Sequence, residues 1–339
     1  MKLGIVGLEG AGKTTLFEAL TRSASDAGHR NEDRLAVISV PDLRVDVLTA
    51  MYKPRKTIYA QIEYCLPAGL KKSDRESRWN SVRECDALIQ VVRNFQIPGG
   101  ESPAPYKDMA HLDEEFILAD YMVVEKRLER IEADQKRGKK GDAVELSLLE
   151  QARQMLESNQ PLRLNPEITG SPLMRGFTFL SGKPMLALLN NDDEDVSLPA
   201  GGHPPGVDVM VVRGKLEHEI SRMSPEEADD FLKEFDITEP ATDRAIKRSY
   251  ETLGLISFFT VGEDEVRAWT IKKETPAVKA AGVIHSDMEK GFIRAEVVSY
   301  DDLIGAGSYA EARKRGATRL EGKTYIMADG DVVTFRFNV

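Results

Sequence analysis

The sequence predicts an α/β protein with a mainly parallel sheet, an inserted antiparallel pair of helices and a separate β-rich segment at its C-terminal end. Three observations predict it. Short apolar, β-branched runs recur with helical patterns between them. One stretch, from about His111 to Ser158, reads as helix throughout. Beyond Leu255 the chain becomes short strand-like pieces separated by Gly, Asp and Glu turns. At 339 residues, two or three domains are expected.

The apolar runs come first. They fall at residues 2–6, Leu35–Val40, Ile58–Leu66, Ala87–Val92, Met185–Leu189 and Val207–Val212. In the helical stretch, Ile117, Tyr121, Val124, Leu128 and Ile131 are spaced 4, 3, 4, 3, a heptad seam. Gly138 to Gly141 breaks the pattern, and Val144, Leu148, Ala152 and Met155 resume it on a second helix. Two helices joined by a tight polar turn imply a hairpin. Residues 225–255 read as two more helices, the first opened by Ser224 as N-cap and Pro225 as first residue. The expected organisation is residues 1–110 with 159–255 as one domain, 111–158 as its insert, and 256–339 as the C-terminal domain.

Composition limits the class of protein. The chain is 41% hydrophobic and 30% charged, and no apolar run reaches the ~18 residues that would cross a membrane. No signal-peptide core opens it. Only Cys65 and Cys85 occur, without a CxxC or a histidine cluster, which argues against a zinc site or disulfide framework and for a reducing cytoplasm. A net charge of −10 disfavours general coating of nucleic acid. It leaves room for a local contact with RNA or a ribosome.

One motif carries chemistry. Gly7-Leu-Glu-Gly-Ala-Gly-Lys13-Thr14 matches G-x-x-x-x-G-K-[ST], after a strand and before a helix. Glycines let successive backbone N–H groups turn inward around phosphates, where a side chain would clash. The phosphate-binding set expected is Gly7, Glu9, Gly10, Ala11, Gly12, Lys13, Thr14 and Thr15, with Gly69 from further along the chain. Lys13 would reach the β- and γ-phosphates of a purine nucleoside triphosphate, and the Thr14 hydroxyl would ligate Mg²⁺. The helix that follows points its positive end at the anion.

Sites of this kind need further groups. A D-x-x-G turn is matched best by Leu66-Pro-Ala-Gly69, where Gly69 is present and the acid position holds Leu66. Glu63 is three residues earlier, and odd spacing puts it on the opposite face of a strand. The basic residues Lys71, Lys72, Arg75, Arg78 and Arg83 follow; phosphate or RNA contact and a solvated loop both fit them. For base reading, Asn190-Asn-Asp-Asp193 stands where N-K-x-D would, with Asn191 in the lysine position. A carboxylate at Asp193 can accept two hydrogen bonds from a guanine edge. Asn190, Asn191 and Asp193 are the expected base-binding residues. His285 would suit acid–base work, but no catalytic partner for it is evident and it reads as structural.

With these pieces the chain resembles the YchF-type (Obg-related) P-loop proteins over nearly its full length. The resemblance rests on Val266-Arg-Ala-Trp-Thr-Ile271, Ala281-Gly-Val-Ile-His285, Glu289-Lys-Gly-Phe-Ile-Arg294, Asp329 to Val333 and terminal Phe337-Asn-Val339. Pro41-Asp-Leu-Arg44 and Val91-Val-Arg93-Asn-Phe95 also match. It implies a P-loop NTPase G-domain with a coiled-coil insert at 111–158 and a β-grasp-like TGS domain at the C-terminus. It further implies ATP or GTP as ligand, slow hydrolysis, a monomer, and ribosome- or stress-related partners met through the TGS domain and hairpin. Leu8 stands where such proteins carry a hydrophobic residue in place of a catalytic glutamine. Their base motif N-x-x-E favours ATP; Asn190 agrees with it, and Asp193 departs toward guanine.

Two departures bear on catalysis. The family pattern D-x-A-G has lost its acid to Leu66, and the stretch Ala27–Leu35 lacks the family's switch threonine. Both groups support Mg²⁺ in such proteins, so hydrolysis that is very slow or lost is expected. Substitute carboxylates, Glu63 or Asp42, are the alternative. A chain whose nucleotide is only structural is the third reading.

Overall fold

The computed structural model describes residues 1–22, 32–68, 79–139, 141–235 and 237–338. The chain divides into two compact units, one of residues 1–37 and 63–245, the other of 38–62 and 246–339.

The first unit holds a six-stranded sheet. In chain order its strands are β1 (Lys2–Val6), β2 (Arg34–Ser39), β4 (Gln61–Leu66), β5 (Ala87–Asn94), β6 (Met185–Asn191) and β7 (Val207–Val212), and they lie side by side as β2-β4-β1-β5-β6-β7. The pairs β4–β1, β1–β5, β5–β6 and β6–β7 are parallel. Strands covered on both faces must be apolar along their whole length, and β6 is buried at every position. Its helices are α1 (Lys13–Thr21), α3 (Asn80–Arg83), α4 (Pro105–Lys136), α5 (Ala143–Glu157), α6 (Pro166–Gly170), α7 (Gly214–Ser221) and α8 (Pro225–Glu234). Helix α9 (Ala241–Thr252) carries the chain onward from this unit into the second.

The expected helical pair is α4 and α5. Ile117, Val124 and Ile131 of the seam bury against Leu148, Leu149 and Ala152. Arg127 bonds Glu145 at 2.7 and 2.8 Å, and Glu125 faces Arg153 at 3.8 Å. Rising numbers on one helix meet falling numbers on the other, so the pair is antiparallel. Helix α4 begins at Pro105, ahead of His111, because a proline is well suited to the first helical position. The Ser224 cap is formed: its hydroxyl accepts the Glu227 amide at 3.3 Å, and the Glu227 carboxylate accepts the Ser224 amide at 2.9 Å.

The second unit has its own sheet, in the order β11-β10-β12-β8-β9-β3. Its strands are β3 (Lys56–Ile58), β8 (Leu255–Val261), β9 (Glu265–Lys272), β10 (Phe292–Ser299), β11 (Arg319–Glu321) and β12 (Asp331–Phe337). Helices α2 (Leu43–Tyr52), α10 (Ala277–Ile284), α11 (Ser286–Lys290), α12 (Tyr300–Ala306) and α13 (Tyr309–Lys314) belong to it. The single run expected at Ile58–Leu66 is therefore two strands in two sheets. β3 pairs with β9 in parallel through Thr57 and Val266, whereas β4 pairs with β1. Arg44 fastens this excursion inside the second unit, bonding Asp42 at 2.8 Å and Asp329 at 2.7 Å and lying over the Phe259 ring.

Candidate functional site

The site begins where β1 ends. Leu3 and Ile5 on one face and Val6 on the other are buried, so the strand is held on both faces, and its parallel neighbours β4 and β5 fix where Gly7 emerges. Gly7 has φ +148°, and a Cβ there would lie 2.3 Å from the backbone oxygen of Val91 on β5. A backbone carbonyl in a parallel ladder cannot step aside, so only glycine fits. Gly10 (φ +78°) and Gly12 (φ +92°) take the left-handed conformation that glycine tolerates, and Gly12 is the N-cap of α1. Ala11 is buried between them, while Glu9, Gly10 and Thr14 are exposed. The Lys13 ammonium folds back over the loop and donates to the Gly7 carbonyl at 3.0 Å and the Leu8 carbonyl at 2.7 Å. A cation is thus held over a ring of backbone whose amides are presented at the start of a helix. That arrangement attracts anions.

Behind the loop stands Asn190, buried at the end of β6. Its amide nitrogen donates to the Ala11 carbonyl at 3.1 Å, and its oxygen accepts the Gly214 amide at 2.8 Å. One side chain thereby ties the glycine loop to the first residue of α7. Asn191, next on the strand, points to the other face. It donates to Ser197 at 2.9 Å and accepts from Asn94 at 2.8 Å, which fixes the turn after β6. Asp193 lies at that turn with its side chain 39% exposed, and Lys215 of α7 faces it at 3.4 Å.

The opposite flank is different. Leu66 is buried, so the acid position is filled by an apolar side chain. Gly69 and the basic residues Lys71 to Arg78 fall outside the described residues. Arg83 is described and bonds Asp120 at 3.1 Å and the Thr178 carbonyl at 3.2 Å, a packing role inside the first unit. Glu63 pairs in register with Lys2, at the end of β1 far from Gly7. Asp42, in the second unit, caps α2 and holds Arg44. Asp33 also lies on this flank, outside every motif of the sequence. Its carboxylate accepts the Ala68 amide at 2.8 Å, on the turn that follows Leu66. No local motif marks it; only the adjacency of β2 and β4 does.

The donor set can be compared with what Mg²⁺ requires. Among the described residues, no three His, Cys, Asp or Glu side chains converge, so no all-protein cage exists. Mg²⁺ on a triphosphate asks for less: one or two protein oxygens, with phosphate and water completing six ligands. The exposed Thr14 hydroxyl in the first turn of α1 fits that demand. His285 caps α11, its ring nitrogen accepting the Asp287 amide at 3.2 Å, as expected of a structural histidine.

A strand, a glycine loop and a helix at the centre of a parallel sheet, with an asparagine from a later strand locked onto the loop, define a P-loop NTPase fold. Comparison with known proteins gives the family. A family model described as "YchF-GTPase_C: Protein of unknown function (DUF933)" matches residues 255–338. The chain is 38% identical to the "Ribosome-binding ATPase YchF" of Bacillus subtilis, over 99% of each chain. It is 36% identical to the protein of that name from Escherichia coli O157:H7, over 100% of this chain and 99% of the other. The solved structure of the Schizosaccharomyces pombe YchF GTPase is similar with a TM-score of 0.83 at 29% identity, covering 99% of this chain and 97% of that one. The chain belongs to the YchF family. No described helix is long and apolar enough to cross a membrane.

Proposed function

We propose that this protein binds a purine nucleoside triphosphate on Gly7 to Thr15, hydrolyses it slowly or not at all, and works in the cytoplasm on ribosome-associated partners. The observation that carries the reading is the loop itself. Two left-handed glycines, a third that only glycine can occupy, and Lys13 folded over them form a cradle of the kind that receives phosphates. Thr14 would meet Mg²⁺, whose charge would offset that of the phosphates. Asn190, which keeps one amide hydrogen uncommitted among the described residues, and Asp193 would meet the base, with Asn191 holding their turn; Gly69 would complete the phosphate set. ATP and GTP are both admitted, Asp193 favouring guanine.

Slow turnover is inferred from Leu66: a buried apolar side chain cannot hold a metal-bound water. The ribosome enters through the names of the relatives, "Ribosome-binding ATPase YchF". The hairpin would act as a coiled-coil arm and residues 256–339 as a TGS domain touching RNA or ribosomal protein, in a monomer. Calorimetric titration with ATP and GTP tests the first part: saturable binding is expected in the parent and none in Lys13→Ala. If the two proteins titrate alike, the reading is wrong. Single-turnover assays then test the second, since turnover at the rate of family members that keep the acid would remove the case for slow hydrolysis.

A further inference from the structure

We propose that Asp33 is the carboxylate through which this nucleotide site engages Mg²⁺, in the absence of an acid at position 66. The assignment rests on the nucleotide-binding reading above. Its first support is position. β4 runs parallel to β1, with Lys2 opposite Glu63 and Gly4 opposite Cys65. Leu66 and the turn after it therefore advance toward Gly7. Glu63 trails Leu66 by three residues, roughly 10 Å along an extended strand, and cannot serve. Asp33 sits just ahead of β2, the strand beside β4, and its Oδ1 accepts the Ala68 amide at 2.8 Å. Its carboxylate is thus two residues past the vacant position and at the same end of the sheet as the glycine loop.

A second observation ties it to the metal-binding face of α1. Arg34, its neighbour, bonds Glu18 at 2.9 Å and lies over the Phe17 ring, 4.8 Å from its centroid. Glu18 is four residues after Thr14, hence on the same side of the helix. Arg34 therefore draws the start of β2 onto the side of α1 that presents Thr14. Asp33 is exposed, and its second oxygen has no partner among the described residues. One oxygen orders the turn while the other is open to a metal-bound water.

Asparagine separates the two roles, because Asp33→Asn can still accept from Ala68 but has no charge to offer a cation. The test is calorimetric binding of β,γ-imido ATP and GTP, each with Mg²⁺ and with EDTA. In the parent, Mg²⁺ should tighten binding. In Asp33→Asn and Asp33→Ala that gain should fall by about 10- to 100-fold, as for other lost outer ligands, while affinity in EDTA stays the same. Three results overturn the proposal: an undiminished gain in Asp33→Asn, a parent that binds with no gain, or a loss of equal size with and without the metal. If no analogue binds the parent at all, the nucleotide reading itself fails and takes this assignment with it.

Discussion

The two flanks of β1 are held in different ways. On one side, β5, β6 and β7 supply backbone and one asparagine: the Val91 carbonyl excludes a side chain at Gly7, and Asn190 locks Ala11 to Gly214. On the other, β4 and β2 bring a buried leucine to the acid position and an exposed aspartate beside it. The first flank is made of contacts that also hold the fold together, so a change there is paid in stability. The second is held by less: Asp33 spends one oxygen on the Ala68 amide and is otherwise exposed.

The largest effect that this difference predicts is at Gly7. Alanine there combines a backbone conformation costing about 1–3 kcal/mol with a Cβ set 2.3 Å from a carbonyl that cannot yield. We expect Gly7→Ala to lose about 3 kcal/mol or more, read as a fall in urea midpoint, with nucleotide affinity lost as well. A variant of parental stability would show that β5 does not clamp the loop.

Asn190→Ala comes next. It strands the Ala11 carbonyl and the Gly214 amide, both satisfied by that side chain. Unmet buried polar groups cost about 1–3 kcal/mol each, so a loss of about 2–4 kcal/mol is expected in denaturant unfolding. The loss should be present without nucleotide. Destabilisation seen only with ligand bound would make Asn190 a base contact and nothing else.

Gly10 marks the lower bound for the glycines. It shares the left-handed backbone, yet a Cβ there meets nothing within 4 Å. Gly10→Ala should cost about 1–2 kcal/mol, the strain of the conformation alone. Thermal melts of the two alanine variants side by side would separate strain from collision; equal shifts would mean that Val91 contributes nothing.

These contrasts also explain what could be read from the chain alone. The loop is legible because its function is contiguous: eight residues, a strand before and a helix after. The hairpin is legible because Ile117 to Ile131 repeat at helical spacing. The split of Ile58–Leu66 into β3 and β4 is not, since hydrophobic pattern says that a run is extended without saying which sheet receives it. Helix α10 escaped for a related reason: Ala277–Ile284 is short and apolar at nearly every position, so period cannot tell it from a buried strand. Asp33 has no motif at all. Its place depends on β2 lying next to β4, a fact of topology.

The smallest effect is the most pointed test of that topology. Sequence spacing alone offers Glu63 as a stand-in for the acid at 66, and the register Lys2–Glu63 takes it away, to the end of β1 remote from Gly7. Among the described residues it makes no ion pair that would hold the fold, so Glu63→Gln should change stability by no more than about 0.5 kcal/mol. Its Mg²⁺-dependent nucleotide affinity should match the parent's. A drop in that affinity with stability intact would mean that β4 is shifted along β1 from the register described, and Asp33 would then be displaced from the P-loop end as well. Parental behaviour in Glu63→Gln beside a lost metal gain in Asp33→Asn would assign the carboxylate by strand neighbourhood, against the nearer residue in sequence.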